Sequence, residues 1–251
     1  MKSNNFFNVV SLGAGRQSSY MLLRGLAGDF SVIPDAAVFS DTQNEPPYVY
    51  EFLDKLVQYC HDVYSFDITI LRNESILESR QSLPYYINGG QGTLRRQCTT
   101  HFKIRPVRRF CQQNRSGRKV RLWIGVSCDE MERMRVSDVK YIKHFYPLVE
   151  SRVTISSILK FWESHVLKVP GKSSCMVCPY HSDRWWRMFK KQFPKSFNSV
   201  CDFDESIRKS VLPDGDVFLH RSCVPLRNVD FSFSSSLFPE LIEECSGLCG
   251  L

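Results

Sequence analysis

Asn8-Val9-Val10-Ser11-Leu12-Gly13-Ala14-Gly15-Arg16-Gln17-Ser18-Ser19 is the stretch on which the reading of this chain turns. Phe6, Phe7, Val9, Val10 and Leu12 form an apolar run that predicts a buried first strand. Tyr20 to Leu26 predicts the body of a helix. Two glycines and several hydroxyls lie between them. A strand, a glycine turn and a helix N-terminus together make an anion site, because the backbone can approach an oxyanion and the helix N–H groups point at it. Ser18 and Ser19 stand where a first-turn hydroxyl adds donors.

The spacing excludes two common phosphate loops. Gly-Lys-Ser/Thr is missing at the end of the turn, and Ser18 occupies the place of the third glycine in Gly-x-Gly-x-x-Gly. The alternation of elements continues downstream. Asp35 to Ser40 predicts a second strand ending in Asp41-Thr42, and Pro46-Pro47 opens a helix from Tyr48 to His61. Phe66 to Leu71 predicts a third strand, and residues 73–97, broken by Gly89-Gly90-Gln91-Gly92, a mobile loop crossing the site. A helix around His101–Gln113 follows, then a fourth strand from Lys119 to Val126 that ends in Ser127-Cys128-Asp129-Glu130. Helices are expected over Ile155–Val166 and around Trp185-Trp186. Such alternation predicts an α/β fold with a doubly wound parallel sheet, whose ligands bind beyond the carboxyl ends of the strands. Three polar clusters fall there: Ser11–Ser19, Asp41-Thr42 and Ser127–Arg133. A division near residue 150 is expected, with residues 1–150 as the nucleotide-binding part and 151–251 as a cysteine-bearing extension packed on it.

With 33 basic and 26 acidic residues the net charge is +7, so polyanions are natural partners. Ten of the cations lie between Arg95 and Arg121 with no acidic residue among them, a block suited to phosphates or nucleic acid. No run of about 18 apolar residues exists to cross a membrane, and the N-terminal apolar run is broken by Asn8, Ser11 and Arg16. A cytoplasmic, reduced protein is expected. Its ten cysteines are then buried, metal-bound or catalytic rather than paired.

Three clusters carry candidate chemistry. Asp41 and Thr42 could meet a nucleoside or a metal, or simply cap the next helix. Asp129 and Glu130 could hold Mg²⁺ against phosphates, and Arg133 could bind phosphate oxygens. Cys175-Met176-Val177-Cys178 is a Cys-x-x-Cys with no second copy at zinc-ribbon spacing, and Cys98 is the best third thiolate. Three thiolates suit an iron–sulfur cluster with one open iron. Zinc would need a fourth ligand such as His181 or Cys223. A redox pair or sulfur carrier is a further alternative.

Gly13-Ala14-Gly15-Arg16-Gln17-Ser18 resembles the PP-loop of ATP pyrophosphatases, with Gly13, Arg16 and Gln17 in place of its usual serine, lysine and aspartate. Together with Phe39-Ser40-Asp41-Thr42, Arg95-Arg96-Gln97-Cys98-Thr99, Gly125-Val126-Ser127, Tyr146-Pro147-Leu148 and Cys175–Tyr180, it resembles the phosphoadenosine phosphosulfate reductase family within the adenine nucleotide alpha hydrolase-like fold. Cys249-Gly250-Leu251 does not spell the Cys-Gly-x-His of the reductases. The resemblance therefore implies the subgroup that uses ATP to activate an oxygen for replacement by sulfur, as in the ATP-pyrophosphatase component of bacterial DNA phosphorothioation systems. It implies that Ser11, Gly13, Gly15, Arg16, Gln17, Ser18, Ser19, Asp41, Thr42 and Gly125 bind the nucleotide. Ser18 and Arg133 would act in catalysis. Cys98, Cys175 and Cys178 would hold a 4Fe-4S cluster or zinc, and Asp129 and Glu130 Mg²⁺. The implied partners are a cysteine desulfurase as sulfur donor, a nucleic acid (DNA rather than tRNA) and a second copy of the chain. The alternatives are a sulfonucleotide reductase and a non-catalytic nucleic-acid-binding module.

Overall fold

The structure is a computed structural model and describes residues 5–72, 74–88, 92–168, 170–212 and 215–232. Gly89, Gly90 and Gln91 of the expected glycine break, and the tail beyond residue 232 with Cys245 and Cys249, lie outside the described residues.

In chain order the elements are β1 (Phe6–Leu12), α1 (Arg16–Leu26), β2 (Ala36–Asp41), α2 (Pro47–Tyr64), β3 (Ile68–Arg72), β4 (Tyr86–Ile87) and α3 (Arg105–Asn114). There follow β5 (Lys119–Trp123), β6 (Ile142–Phe145), α4 (Pro147–Glu150), α5 (Ile155–Ser164), α6 (Asp183–Gln192), α7 (Pro194–Ile207) and β7 (Val217–Phe218). They divide into two compact units. One is built from Phe102–Ser173 and the chain up to Asn73, the other from Glu74–His101 and the chain from Ser174 onward. This division differs from the boundary expected near residue 150. The second unit takes in Glu74–His101, and with it nearly all of 73–97, the segment expected to be a mobile loop crossing the site. Described residues of the segment bond to one another: Ile87 N–H donates to Gly92 O, Leu94 N–H to Tyr85 O and Gln97 N–H to Ser82 O. Its β4 pairs antiparallel with β7.

The first unit is α/β. Its five strands are parallel, in the order β3-β2-β1-β5-β6. A parallel sheet is buried on both faces, and successive residues of β1 serve opposite sides. Val10 and Leu12 pack with α1, α2 and α5 through Leu22, Leu53 and Trp162. Phe7 and Val9 pack with α3 through Val107 and Cys111. Gly25 of α1 is a packing glycine, since a Cβ there would stand 2.9 Å from the Trp123 ring. β6 escaped the sequence reading because Lys143 and His144 interrupt its apolar pattern at the sheet edge. The strand order reverses beside β1, which lies between β2 and β5. This is the switch point at which open α/β sheets bind ligands.

In the second unit α6 buries Trp185, Trp186 and Phe189, and α7 buries Phe197, Val200, Cys201 and Ile207. Asp204 of α7 is fully buried. Its carboxylate accepts from Leu219 N–H (2.8 Å) and Leu226 N–H (3.0 Å), and pairs with Arg208 of the same helix. One side chain thus ties α7 to β7 and to the turn at Leu226. A buried carboxylate removed from such a set leaves a cation and two N–H groups unsatisfied. Asp204→Ala is expected to cost about 3 kcal/mol or more, read as a lowered midpoint in urea unfolding. A shift within error would show that water replaces the carboxylate.

Candidate functional site

The loop between β1 and α1 lies at the switch point. Ala14, not a glycine, adopts the left-handed conformation (φ 53°). Gly13 and Gly15 provide space instead. A Cβ at Gly13 would meet nothing nearer than Ser18 Oγ at 3.7 Å, and one at Gly15 nothing nearer than Ser173 Cβ at 3.9 Å. Both positions are therefore open on the loop's outer side, although a side chain there would cause no clash within the protein. Gly15 caps α1 without a side-chain hydrogen bond, so the first-turn N–H groups are left to solvent or a ligand. Ser18 braces the loop: its Oγ accepts from Gly13 N–H (3.2 Å) and donates to Gly15 O (3.4 Å). Ser19 Oγ is buried and makes no hydrogen bond, an orphan polar atom in the same first turn. Ser11 is half-buried inside β1, next to Leu12 at the loop's entrance.

The end of β5 closes on this loop. A Cβ at Gly125 would come within 2.9 Å of Ser18 N and Cα, so this glycine is required by backbone packing. Gln17 Nε2 donates to Ser127 Oγ (3.0 Å) and to Glu130 Oε2 (2.5 Å), and Arg133 reaches Glu130 Oε1 at 2.8 Å. Gln17, Glu130 and Arg133 thus form one polar chain linking the two strand ends. Asp129 faces elsewhere: both its oxygens accept from Ile155 N–H, at 3.1 and 3.0 Å, at the start of α5. The two carboxylates offered as Mg²⁺ ligands therefore have separate partners.

Asp41 is also turned into its own loop. Its Oδ1 accepts from Gln43 N–H (2.7 Å) and Tyr50 O–H (2.8 Å), and Arg72 Nε is 3.7 Å from Oδ2. Burial and the bond to Asp41 push the Tyr50 hydroxyl well above the ordinary tyrosine range. Thr42 is buried beside it.

A strap that the sequence reading missed crosses the loop. Arg16 Nε donates to Pro170 O (3.4 Å), Tyr48 O–H to Lys172 O (3.0 Å) and Ser173 Oγ to Glu45 Oε2 (3.3 Å). Buried Glu45 lies 3.6 Å from Lys103 Nζ. Trp162 Nε1 donates to Arg16 O (3.1 Å). Gly171 has no room for a side chain, because a Cβ would overlap the Tyr48 ring. The dipeptide Pro170-Gly171 was the available signal of a loop. What it crosses could not be read locally.

The basic block divides in two. Arg108 pairs with Asp138. Arg115 lies over Tyr141 at 4.7 Å, Arg118 over Phe7 at 4.9 Å and Arg121 over Phe6 at 4.5 Å. The guanidinium groups of Arg115, Arg118 and Arg121 thus pack around the starts of β1, β5 and β6, at the opposite end of the strands from the loop. Arg95, Arg105, Arg109 and Lys119 remain exposed.

Cys98, Cys175 and Cys178 all belong to the second unit. Cys178 N–H donates to Cys175 O (3.0 Å), closing the Cys-x-x-Cys turn. Cys223 Sγ donates to Ile87 O at 3.5 Å. Among the described residues no group of three or more His, Cys, Asp or Glu could hold a metal ion. Cys98, Cys175 and Cys178 do not form such a group.

No family model matches this chain. No curated protein matches it either. Among solved structures it is similar to a U34-tRNA thiolase, NcsA from Methanococcus maripaludis with its 4Fe-4S cluster. Identity is 17%, with 81% of this chain and 72% of that chain covered at a TM-score of 0.46. Likeness at that level leaves the function to the residues of this chain.

Burial pushes the thiols of Cys60 and Cys111 up to about 12, and that of Cys201 to about 11, from an ordinary 9.0. In the unfolded chain these thiols ionise near 9 and in the folded chain they do not. Their contribution to stability is therefore complete below pH 9 and is lost as pH rises toward 12. Iodoacetamide at pH 8 is expected to modify the half-exposed Cys98, Cys128, Cys178 and Cys223 first, and the buried Cys60, Cys111 and Cys201 only on unfolding. Peptide mass spectrometry reads the order, and early modification of Cys60 or Cys111 would contradict it.

Proposed function

We propose that the chain is an ATP pyrophosphatase that adenylates an acceptor oxygen, so that a sulfur nucleophile can displace AMP. The observation that carries this reading is the open loop at the switch point. Gly13 and Gly15 have space where side chains would stand, and α1 begins behind them without a side-chain cap. Such a loop favours a polyphosphate substrate, because N–H groups and the helix dipole both attract negative charge. Ser18 holds the loop in shape, and Ser19 Oγ is a buried donor awaiting a partner. Arg133, held by Glu130 beside Gln17, would stabilise charge developing on the leaving pyrophosphate. Gly125 keeps the β5 end against α1.

The acceptor we propose is a DNA backbone, and the sulfur donor a cysteine desulfurase. The exposed Arg105, Arg109 and Lys119, together with a net charge of +7, are compatible with a polyanion. The stacked Arg118 and Arg121 belong to the fold and do not count toward such a surface.

Gly15→Val is expected to leave the fold intact, because its backbone angle is ordinary and its Cβ meets no protein atom within 3.9 Å. It should lower release of AMP and pyrophosphate about a hundredfold. ADP and orthophosphate as products would overturn the assignment. For the acceptor, Arg105→Glu with Arg109→Glu should weaken DNA binding and flatten its salt dependence. An unchanged slope, or tighter and productive binding of tRNA, would reject the DNA surface while leaving the ATP reading in place.

A further inference from the structure

Inside the second unit three side chains that the nucleotide reading does not use stand in line. Asp183 Oδ1 is 2.9 Å from His220 Nε2, and His220 Nδ1 is 2.7 Å from Ser222 Oγ. The Asp183 side chain is 11% exposed and that of His220 6%, whereas Ser222 is exposed. Asp183 begins α6, where the helix dipole favours a carboxylate. Its other oxygen accepts from Arg221 at 2.6 Å.

The hydrogen bonds assign the imidazole tautomer. A carboxylate only accepts, so Nε2 carries the proton. Nδ1 then presents a lone pair, toward which both the Ser222 hydroxyl and, at 3.2 Å, the Ser222 N–H are directed. A turn holds the serine in place: Cys223 N–H donates to His220 O (3.0 Å), with Cys223 in the left-handed conformation (φ 52°). Phe231 stands edge-on to the imidazole at 5.7 Å and shields it on one side. These are the relations of a nucleophile, its base and the group that orients the base.

We propose that Ser222 is a nucleophilic serine, with His220 as its general base and Asp183 as the positioning residue, in a second site that accepts an acyl group from a carboxylic ester or thioester. Ser222 Oγ attacks the carbonyl carbon while its proton passes to His220 Nδ1. The bond from that carbon to the alcohol or thiol breaks, and the departing group takes the proton from His220. Water, deprotonated by the same nitrogen, then hydrolyses the acyl-serine and restores the hydroxyl. Arg221 is 59% exposed beside the serine and favours acyl groups that carry negative charge. The site lies wholly within the second unit and is independent of the ATP reading.

The test uses the full chain and a fluorophosphonate probe, from which the serine oxygen displaces fluoride. Peptide mass spectrometry should find the label on Ser222, far ahead of the exposed Ser199 of the same chain. Ser222→Ala should abolish it without changing the melting temperature. His220→Gln should slow labelling about a hundredfold or more. Asp183→Asn should slow labelling of Ser222 and Asp183→Glu should restore it in part, with the rate at Ser199 unchanged in both, a selective rescue that a purely structural carboxylate would not produce. The proposal fails if Ser222 is labelled no faster than Ser199, or if Asp183→Asn and His220→Gln both label at the native rate. Should either variant fail to fold, the comparison of Ser222 with Ser199 in the native chain decides alone.

Discussion

The first unit depends on how closely the end of β5 approaches the start of α1. Gly125 lies against the backbone of Ser18 with no space for a methyl group between them. That contact brings Ser127 and Glu130 within reach of Gln17 and carries Arg133 with them. A neutral glutamine at Gln17 suits the place, since it donates to Glu130 where an aspartate would face a second carboxylate. The loop from Gly13 to Ser19 has no carboxylate of its own, and the one that Gln17 meets comes from beyond the end of β5.

Charge in this chain divides between fold and surface. Arg115, Arg118 and Arg121 lie over aromatic rings, and Arg121 also donates to Asn8 Oδ1 at 3.3 Å. A guanidinium is weakly hydrated and planar, so it stacks where a lysine would remain in solvent. A run of cations in sequence is therefore not a run of cations on the surface. Rings at Phe6, Phe7 and Tyr141 decide which of them face water.

In the second unit, buried ionic groups do work that apolar packing would otherwise do. Asp204 joins α7 to two later backbone N–H groups, and Asp183 joins the start of α6 to His220 and Arg221. With strands as short as β4 and β7, the sheet alone holds little of this unit together. Its shape relies on such carboxylates and on the aromatic cluster of Trp186, Phe189 and Phe197.

The sequence by itself determined the strand, glycine turn and helix from Phe6 to Leu26, the alternation that makes a parallel sheet, and the clusters at three strand ends. These depend on spacings of two to four residues and on glycine, so neighbours in the chain are sufficient to specify them. Only the tertiary structure decided that Asp41 and Asp129 turn to backbone N–H groups, that Pro170–Ser173 crosses the loop, and that residues 74–101 join the second unit. A carboxylate bonds whichever donor the fold brings closest, and no local pattern names that donor. Ser222 and His220 are near neighbours in the chain, yet Asp183, which orients the ring, arrives from the start of another helix.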